Sequence, residues 1–226
     1  MIFALALLGL AAAVPPIGGP SIGGLPSGGL PSGGQPIGEA AYWVRAEDFP
    51  ESEWHKAFIT RYELMVSQAG LPIGCAVTGP SGSAIVDEIA CASLVARAKY
   101  LPARDSAGIV VPQAIRGKLQ WRPDFGGGGN THSVTADLSV TTPLMTRDRG
   151  NLLVKVVLIY DQAGKIEQCS VIKGSPLPAI DSEACVAASA PGLFGPVKDE
   201  HGATTRGLRE IDLDFAHGEK TQVTVL

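Results

Sequence analysis

The sequence has little charge, few aromatic side chains and no apolar run that is long enough to span a membrane. Of its 226 residues, 18% are charged and 6% are aromatic, and the net charge is −4 at pH 7. Proteins that bind nucleic acid through its phosphates carry an excess of basic residues, so we expect no nucleic-acid partner. No apolar run reaches the roughly 20 residues that a membrane-spanning helix needs. The composition argues against a membrane bundle, a coiled coil and a chain that is disordered throughout.

The sequence also lacks the motifs of common enzyme classes. It contains no Gly-Lys-Ser/Thr and no His-x-x-x-His, and its 4 histidines are scattered. Asp87 and Asp181 are candidate acids, but each falls in the first turn of a predicted helix, where the helix dipole favours a negative charge. We therefore expect a protein that is not an enzyme, with no catalytic residue, no small-molecule cofactor and no metal site.

An uninterrupted apolar run covers residues 2–14. It has the length of a signal-peptide core, and Ala11 and Ala13 supply the small residues that precede a cleavage site. We predict a signal peptide at residues 1–13 and export to the periplasm, although no Lys or Arg occurs before Arg45. The alternatives are a buried core segment and, if the signal is not cleaved, association with the inner membrane.

A Gly/Pro/Ser-rich stretch follows the predicted signal, at residues 14–41. Glycine pairs recur in it every five residues, at 18–19, 23–24, 28–29 and 33–34. A segment of this composition buries too little apolar surface to offset the entropy that is lost on ordering. It predicts a flexible spacer, with a specific binding motif as the alternative.

The rest of the chain contains an internal repeat. Residues 58–121 align without a gap on residues 152–215, at an offset of 94, with 15 identical positions. The identities include the Gln-Ala-Gly of a turn and two cysteines that lie 16 residues apart in each stretch. We name the first stretch copy one and the second copy two. The repeat predicts that one small domain has been duplicated.

Each copy has the pattern of two strands, a helix and a third strand. Residues 154–160, for example, are rich in β-branched side chains, which favours a strand, and a tight turn ending in glycine follows. The pattern predicts an α+β fold of two tandem small domains, each a short antiparallel sheet packed by one or two helices. The predicted units are domain one at residues 42–121, a linker at 122–151, a degenerate domain two at 152–216 and a tail at 217–226.

The four cysteines fall at equivalent positions in the two copies. One lies near the end of the second strand and the other in the helix, so a helix packed on the sheet would bring them together. An even number of cysteines in an exported chain favours disulfides, here Cys75–Cys91 and Cys169–Cys185. Free buried thiols and a zinc site are the alternatives, although no Cys-x-x-Cys or neighbouring histidine pair supports a metal.

A set of turn and core residues recurs around the cysteines. Copy one has Gly79-Pro80-Ser81-Gly82-Ser83, Val86-Asp87, Cys91, Tyr100-Leu101-Pro102-Ala103-Arg104-Asp105 and Gly108, preceded by Trp43 and Phe49-Pro50. Copy two keeps Ile180-Asp181, Cys185, Phe194-Gly195-Pro196 and Asp199, and it lacks the preceding aromatic residues. This arrangement resembles the C-terminal domain of TonB, and more narrowly the cysteine-containing TonB-like proteins of alphaproteobacteria.

The resemblance implies a periplasmic protein- or peptide-binding module. TonB-like domains pair an extended peptide of an outer-membrane transporter with a sheet edge. The implied partner is a TonB-dependent outer-membrane transporter or its extended peptide, and the implied edge is the last strand of copy one: Ile115, Arg116, Gly117, Lys118, Leu119, Gln120 and Trp121. We expect no energy-transducing anchor of its own. The alternative is a structural or stress-related envelope protein that uses the fold as a scaffold.

The last strands of the two copies carry opposite charges. Arg116 and Lys118 alternate with apolar residues in copy one, and Asp212 and Asp214 do so in copy two. Opposite charges on neighbouring strands attract each other, which favours pairing of the two copies through these strands. The alternative is that both charged rows face solvent.

Overall fold

The structure is a computed structural model that describes residues 29–39, 43–121 and 136–226, together with the main chain of residues 131–133. The predicted signal peptide at 1–13 lies outside the described residues, as do residues 14–28 and 40–41 of the predicted spacer. Within the described part of the chain, no helix is both long and apolar enough to cross a membrane.

Copy one folds into the order of elements that the sequence predicts. In chain order these are β1 (Phe58–Val66), β2 (Pro72–Gly79), α1 (Ala84–Arg97), a two-residue hairpin of β3 (Ala103–Arg104) and β4 (Val110–Val111), and β5 (Gln113–Trp121). Two short 3-10 helices, Ala46–Asp48 and Glu51–Glu53, precede β1. Gly70 has a φ of 79°, the left-handed conformation that the tight turn between β1 and β2 requires.

Copy two repeats this order, and strands from outside the repeat flank it. Residues 122–151, predicted as a linker, contribute β6 (Thr131–Ser133) and β7 (Leu138–Thr142). Copy two then supplies β8 (Leu152–Tyr160), β9 (Ile166–Lys173), α2 (Pro178–Ala188) and β10 (Gly207–His217), and the predicted tail supplies β11 (Gln222–Val225). The stretches between and after the copies are therefore part of the fold.

Nine strands form a single sheet, which overturns the expected fold class. The sheet runs β11-β7-β10-β5-β1-β2, with β6 added to β5, and with β8 and β9 added to β10. Its β10–β5 and β10–β7 pairs are parallel, and the others are antiparallel. The described residues contain two α-helices, α1 and α2. The prediction of two tandem small α+β domains is therefore wrong, because the copies share one mixed, mostly β architecture.

A shared core explains this outcome. One row of β8 packs with α2 in the core of copy two. The opposite row, Val157 and Ile159, joins a cluster to which copy one contributes Ala103 and Val111. β8 is thus buried on both faces over its second half, which does not fit an independent two-layer domain, in which one face of the sheet meets water. The uninterrupted apolar run at residues 156–160 is the sequence signal for this burial.

The last strands of the two copies pair, but their charges do not join them. β5 and β10 lie parallel and pair over two residues near their starts. Farther along, β6 pairs with β5 and β7 pairs with β10. Among the described residues, no ion pair links Arg116 or Lys118 to Asp212 or Asp214; Asp212 instead pairs with Lys155 of β8 at 3.3 Å. The predicted charge pairing between the copies is therefore not observed.

The described part of the predicted flexible spacer is held against the domain. Ser32 lies antiparallel to Arg104, and Pro36 lies antiparallel to Tyr100. The contacts are made mainly by main-chain groups, as shown below. Composition predicts flexibility from the lack of apolar side chains to bury, whereas this stretch is ordered by main-chain pairing.

Candidate peptide-binding groove

The candidate site is a groove that holds part of the chain's own Gly/Pro/Ser-rich stretch. We name residues 31–37 the docked segment and residues 99–104 the receiving segment. The receiving segment follows α1, whose C-cap residue Ala98 is extended. The N–H of Tyr100 donates to the carbonyl of Gly70 at 2.9 Å, on the side of the β1–β2 turn. The N–H of Leu101 faces the other way and donates to the docked segment, so the receiving segment has partners on both sides.

Main-chain hydrogen bonds hold the docked segment in an extended, antiparallel arrangement. Four of them join the two segments at 2.8–2.9 Å: Ser32 N–H to Arg104 O, Arg104 N–H to Ser32 O, Leu101 N–H to Gln35 O, and Ile37 N–H to Lys99 O. Pro36 has no N–H, and the pairing requires none at that position. The arrangement is that of a strand added to an exposed edge.

Two side chains bind the N–H groups of the glycine pair. Glu210 of β10 accepts a hydrogen bond from the N–H of Gly33 at 2.9 Å, and Gln113 of β5 accepts one from the N–H of Gly34 at 2.9 Å. Gln113 is 3% exposed, and its Nε2 has no hydrogen-bond partner among the described residues. Since Gln113 belongs to copy one and Glu210 to copy two, the groove is completed where the copies meet.

Lys155 holds the carboxylate of Glu210 in place. Its Nζ lies 3.2 Å from Glu210 Oε2 and 3.3 Å from Asp212 Oδ2. Burial lowers the pKa of Lys155, but the negative charges of Glu210 and Asp212 outweigh this effect and leave the pKa raised. Lys155 is therefore protonated at neutral pH, and it orients the Glu210 carboxylate toward the docked segment.

The groove has room for glycine alone at its centre. A Cβ atom on Gly34 would lie less than 3.0 Å from the carbonyl oxygen of Leu101, and a Cβ atom on Gly33 would lie less than 3.0 Å from the carboxylate of Glu210. The Glu210 side chain can move, whereas the Leu101 carbonyl is main chain and is held by its neighbours. Gly34 is therefore the more strictly required of the two glycines.

The groove contacts few side chains of the docked segment. Pro31 and Gly33 are buried and Gly34 is half-buried. The residues Ser32, Gln35, Pro36 and Ile37 are exposed. The docked segment is therefore held through its main chain, the absence of side chains at two positions and one buried proline.

A buried ion pair keeps the two halves of the groove together. Arg209 of β10 is 0% exposed, and its Nη1 lies 2.5 Å from Glu63 Oε2 of β1. The same guanidinium donates to the carbonyl of Gly195 at 3.0 Å and lies 5.1 Å from the ring centroid of Phe194. Arg116 approaches the same ring at 5.4 Å. The contacts of Arg209 with Glu63 and of Arg116 with Phe194 cross between the copies, next to Glu210 of β10.

The structure places the predicted binding edge inside the sheet. β5 pairs with β1 along its whole length, and on its other side it pairs with β10 at its start and with β6 from Lys118 to Gln120. Trp121 is buried against Phe49, with ring centroids 4.8 Å apart. Between these two partners, Arg116 and Gly117 line a small depression. A peptide that added to β5 at residues 118–120 would have to displace β6.

Both cysteine pairs are bonded as the spacing predicts. Cys75–Cys91 and Cys169–Cys185 are disulfides, with Cα atoms 5.5 and 5.8 Å apart. Each joins the second strand of a copy to its helix, and the groove is formed by residues beyond that helix. In the part of the chain that is described, no group of three or more His, Cys, Asp or Glu residues could hold a metal ion.

Comparisons with known protein families, curated proteins and solved structures find no match. Nothing in them identifies a TonB C-terminal-like domain, so the resemblance remains a hypothesis.

Sequence reasoning missed the residues that form the groove. Gln113 and Glu210 are polar residues within strands and belong to no motif. The five-residue recurrence of glycine pairs was the available signal, since a strict period is unnecessary in a simple spacer. The residues that bind the glycine pair could not be found from the sequence, because Gly33 and Glu210 are 177 residues apart.

Proposed function

We propose that this chain is an exported, disulfide-bonded module that binds an extended peptide by main-chain pairing. The observation that carries the proposal is the docked segment, which already occupies the groove in the manner of an added strand. Peptide recognition by strand addition takes its affinity from main-chain hydrogen bonds and its selectivity from a few positions. Here those positions are Pro31, Gly33 and Gly34.

The TonB resemblance supports a partner of the same class. A TonB-like module of the periplasm would receive an extended segment of an outer-membrane transporter, and such a segment would compete with the docked segment for the groove. The two disulfides are typical of an oxidising compartment outside the cytoplasm. The proposal therefore places the protein in the periplasm, with its own Gly/Pro/Ser-rich stretch as an internal competitor.

A scaffold function is the second candidate. The docked segment in the groove favours this function as well, because a groove that is filled by its own chain needs no further ligand. Under this alternative the docked segment is a structural strand, and no external peptide replaces it.

A peptide-binding experiment separates the two candidates. An open-groove protein is made by replacing the second glycine of every pair in the Gly/Pro/Ser-rich stretch: Gly19→Val, Gly24→Val, Gly29→Val and Gly34→Val. A fluorescent peptide with the sequence of residues 29–38 is titrated into it and followed by anisotropy. We expect saturable binding, at least tenfold tighter than binding to the unmodified protein, because the cis competitor has been removed.

The matched control is the same peptide with valine at the position of Gly34. It should bind at least tenfold more weakly, since its Cβ would meet the Leu101 carbonyl. If the glycine peptide does not bind the folded open-groove protein, the peptide-binding proposal fails and the scaffold function stands. Folding is checked by slow exchange of the Tyr100 N–H, whose partner Gly70 lies outside the groove.

A further inference from the structure

The chain carries a second copy of the element that the groove contacts. The contacted part of the docked segment is Pro-Ser-Gly-Gly at residues 31–34, in which Pro31 and Gly33 are buried and Gly34 is half-buried. The same four residues, in the same order, stand at 26–29. At the level of side chains the groove therefore has two identical candidates five residues apart.

The main-chain groups that the groove uses also recur five residues earlier. In the observed register, the groove takes the carbonyl of Gln35 and the N–H of Ile37, and it uses no N–H at Pro36. A shift of five residues puts Leu30 at the position of Gln35, Pro31 at that of Pro36 and Ser32 at that of Ile37. Leu30 and Ser32 supply the carbonyl and the N–H, and a proline again falls where no N–H is needed. The exposed side chain of Gln35 shows that the groove does not select that position.

The connection to the folded core permits the shift. In the observed register, five residues (38–42) separate the docked segment from Trp43, which is buried against Tyr100. In the shifted register, ten residues (33–42) would make this connection. Doubling the length of a flexible loop weakens its closure by about threefold. The second register is therefore weaker than the first, but by a small factor.

The remaining glycine pairs match less well. Gly23-Gly24 has Ser21 at the position of the buried Pro31. Gly18-Gly19 is preceded by Pro16, but its connection to Trp43 would be about twice as long again, which weakens closure by about another threefold. Residues 26–29 are thus the strongest second candidate.

We propose that the groove selects the Pro-Ser-Gly-Gly element as such, and that residues 26–29 are its second ligand within the same chain. The inference rests on the proposed function of the groove and adds the motif that the groove selects. The consequence is a segment that exchanges between two registers, one of which restores docking when the other is blocked.

Amide hydrogen exchange of the full chain tests this inference. The N–H groups of Leu101 and Arg104 donate to the docked segment, so their protection reports docking. In Gly34→Val the observed register is blocked, and we expect their protection to fall by only about fourfold, because the shifted register, about threefold weaker, remains. In the open-groove protein, whose Gly/Pro/Ser-rich stretch has no glycine pair left, protection should be lost.

Gly29→Val is the matched control. A Cβ atom at Gly29 meets nothing within 4 Å in the observed register, so this variant should keep nearly full protection at Leu101 and Arg104. The Tyr100 N–H, which donates to Gly70, should stay protected in all variants. The effects of the two valines are thus expected to be strongly non-additive.

Three results would overturn the inference. If Gly34→Val loses protection as completely as the open-groove protein, residues 31–34 are the only ligand, and the peptide-binding proposal is untouched. If protection in Gly34→Val grows with protein concentration, a second copy of the chain supplies the element rather than residues 26–29 of the same chain. If the open-groove protein keeps its protection, the steric requirement for glycine is wrong.

Discussion

The two copies share their turns and their cross-link. Asp105 in copy one and Asp199 in copy two each accept two main-chain N–H groups at 2.9–3.0 Å and close the same turn. Asp87 and Asp181 each accept the N–H of the serine six residues earlier, ahead of the helix. Each copy also has one disulfide across 16 residues. The duplicated residues therefore maintain the same local framework in both halves.

The copies differ in what covers the segment after the helix. In copy one, the docked segment takes the N–H of Leu101. In copy two, Gly195 stands at that position, and its carbonyl accepts a hydrogen bond from Arg209 of the same copy. Copy one has the apolar Ile115 at the position of Arg209. A side chain of the same copy therefore contacts this segment in copy two, whereas the Gly/Pro/Ser-rich stretch contacts it in copy one.

The largest effect is expected where copy two contacts copy one through Arg209. Arg209→Met should lower the free energy of unfolding by about 3–5 kcal/mol, because it leaves the mostly buried Glu63 without its partner. The double variant Glu63→Gln, Arg209→Met should regain most of this loss, and urea unfolding measures both. A double variant as unstable as the single one would show that the loss does not come from an unpaired carboxylate.

The two disulfides should contribute equally. In the chain-entropy description, a loop of about this length gives about 3 kcal/mol, and the sequence separation is 16 in both copies. We expect Cys75→Ala, Cys91→Ala and the equivalent pair Cys169→Ala, Cys185→Ala to lose the same stability in urea unfolding. A difference above about 1 kcal/mol would mean that packing in one copy, rather than loop length, sets the contribution.

Asp137 tests a contact of copy two for which the described residues contain no equivalent in copy one. Its carboxylate accepts the N–H of Asp212 at 2.9 Å, and burial raises its pKa to about 6, against the opposing effects of that hydrogen bond and of Arg116. A raised carboxyl pKa means that the folded state holds its proton longer than the unfolded state, so stability falls as pH rises from about 4 to about 6.

Replacing this carboxyl group removes that dependence. Asp137→Asn keeps an acceptor for the Asp212 N–H, so it should gain on the order of 2 kcal/mol relative to the unmodified protein at pH 7 and little at pH 4. Urea unfolding at the two pH values measures the gain. An equal gain at both values would exclude the titration of Asp137 as its cause.

The smallest effect distinguishes the aspartates in the first turns of the two helices, Asp87 and Asp181. Asp87 also accepts a hydrogen bond at 2.7 Å from the buried hydroxyl of Thr60, whereas copy two has Val154 at that position. Asp87→Ala should therefore be about 1 kcal/mol more destabilising than Asp181→Ala, since it leaves a buried hydroxyl unpaired. The control is Thr60→Val, Asp87→Ala, which mimics copy two. Its failure to recover the difference would contradict this explanation.

Much of the local structure could be predicted from the sequence. The individual strands and helices that the copies share, the turn at Gly70 and both disulfides follow from patterns that span fewer than 20 residues. The assembly could not be predicted in the same way. The burial of the second half of β8 on both faces was visible as an apolar run, but the partner of its second face, Ala103 and Val111, lies some 50 residues away.

The groove shows most clearly which features are local in the sequence and which depend on the assembled fold. The sequence by itself determined the glycine pairs, their period of five and the proline before three of them, because these are local features of composition. Only the tertiary structure decided that Gly34 meets the Leu101 carbonyl and that Gln113 and Glu210 converge on one glycine pair. The physical reason is that main-chain hydrogen bonding is available to almost every residue, so the partners are selected by the position in which the shared sheet holds them.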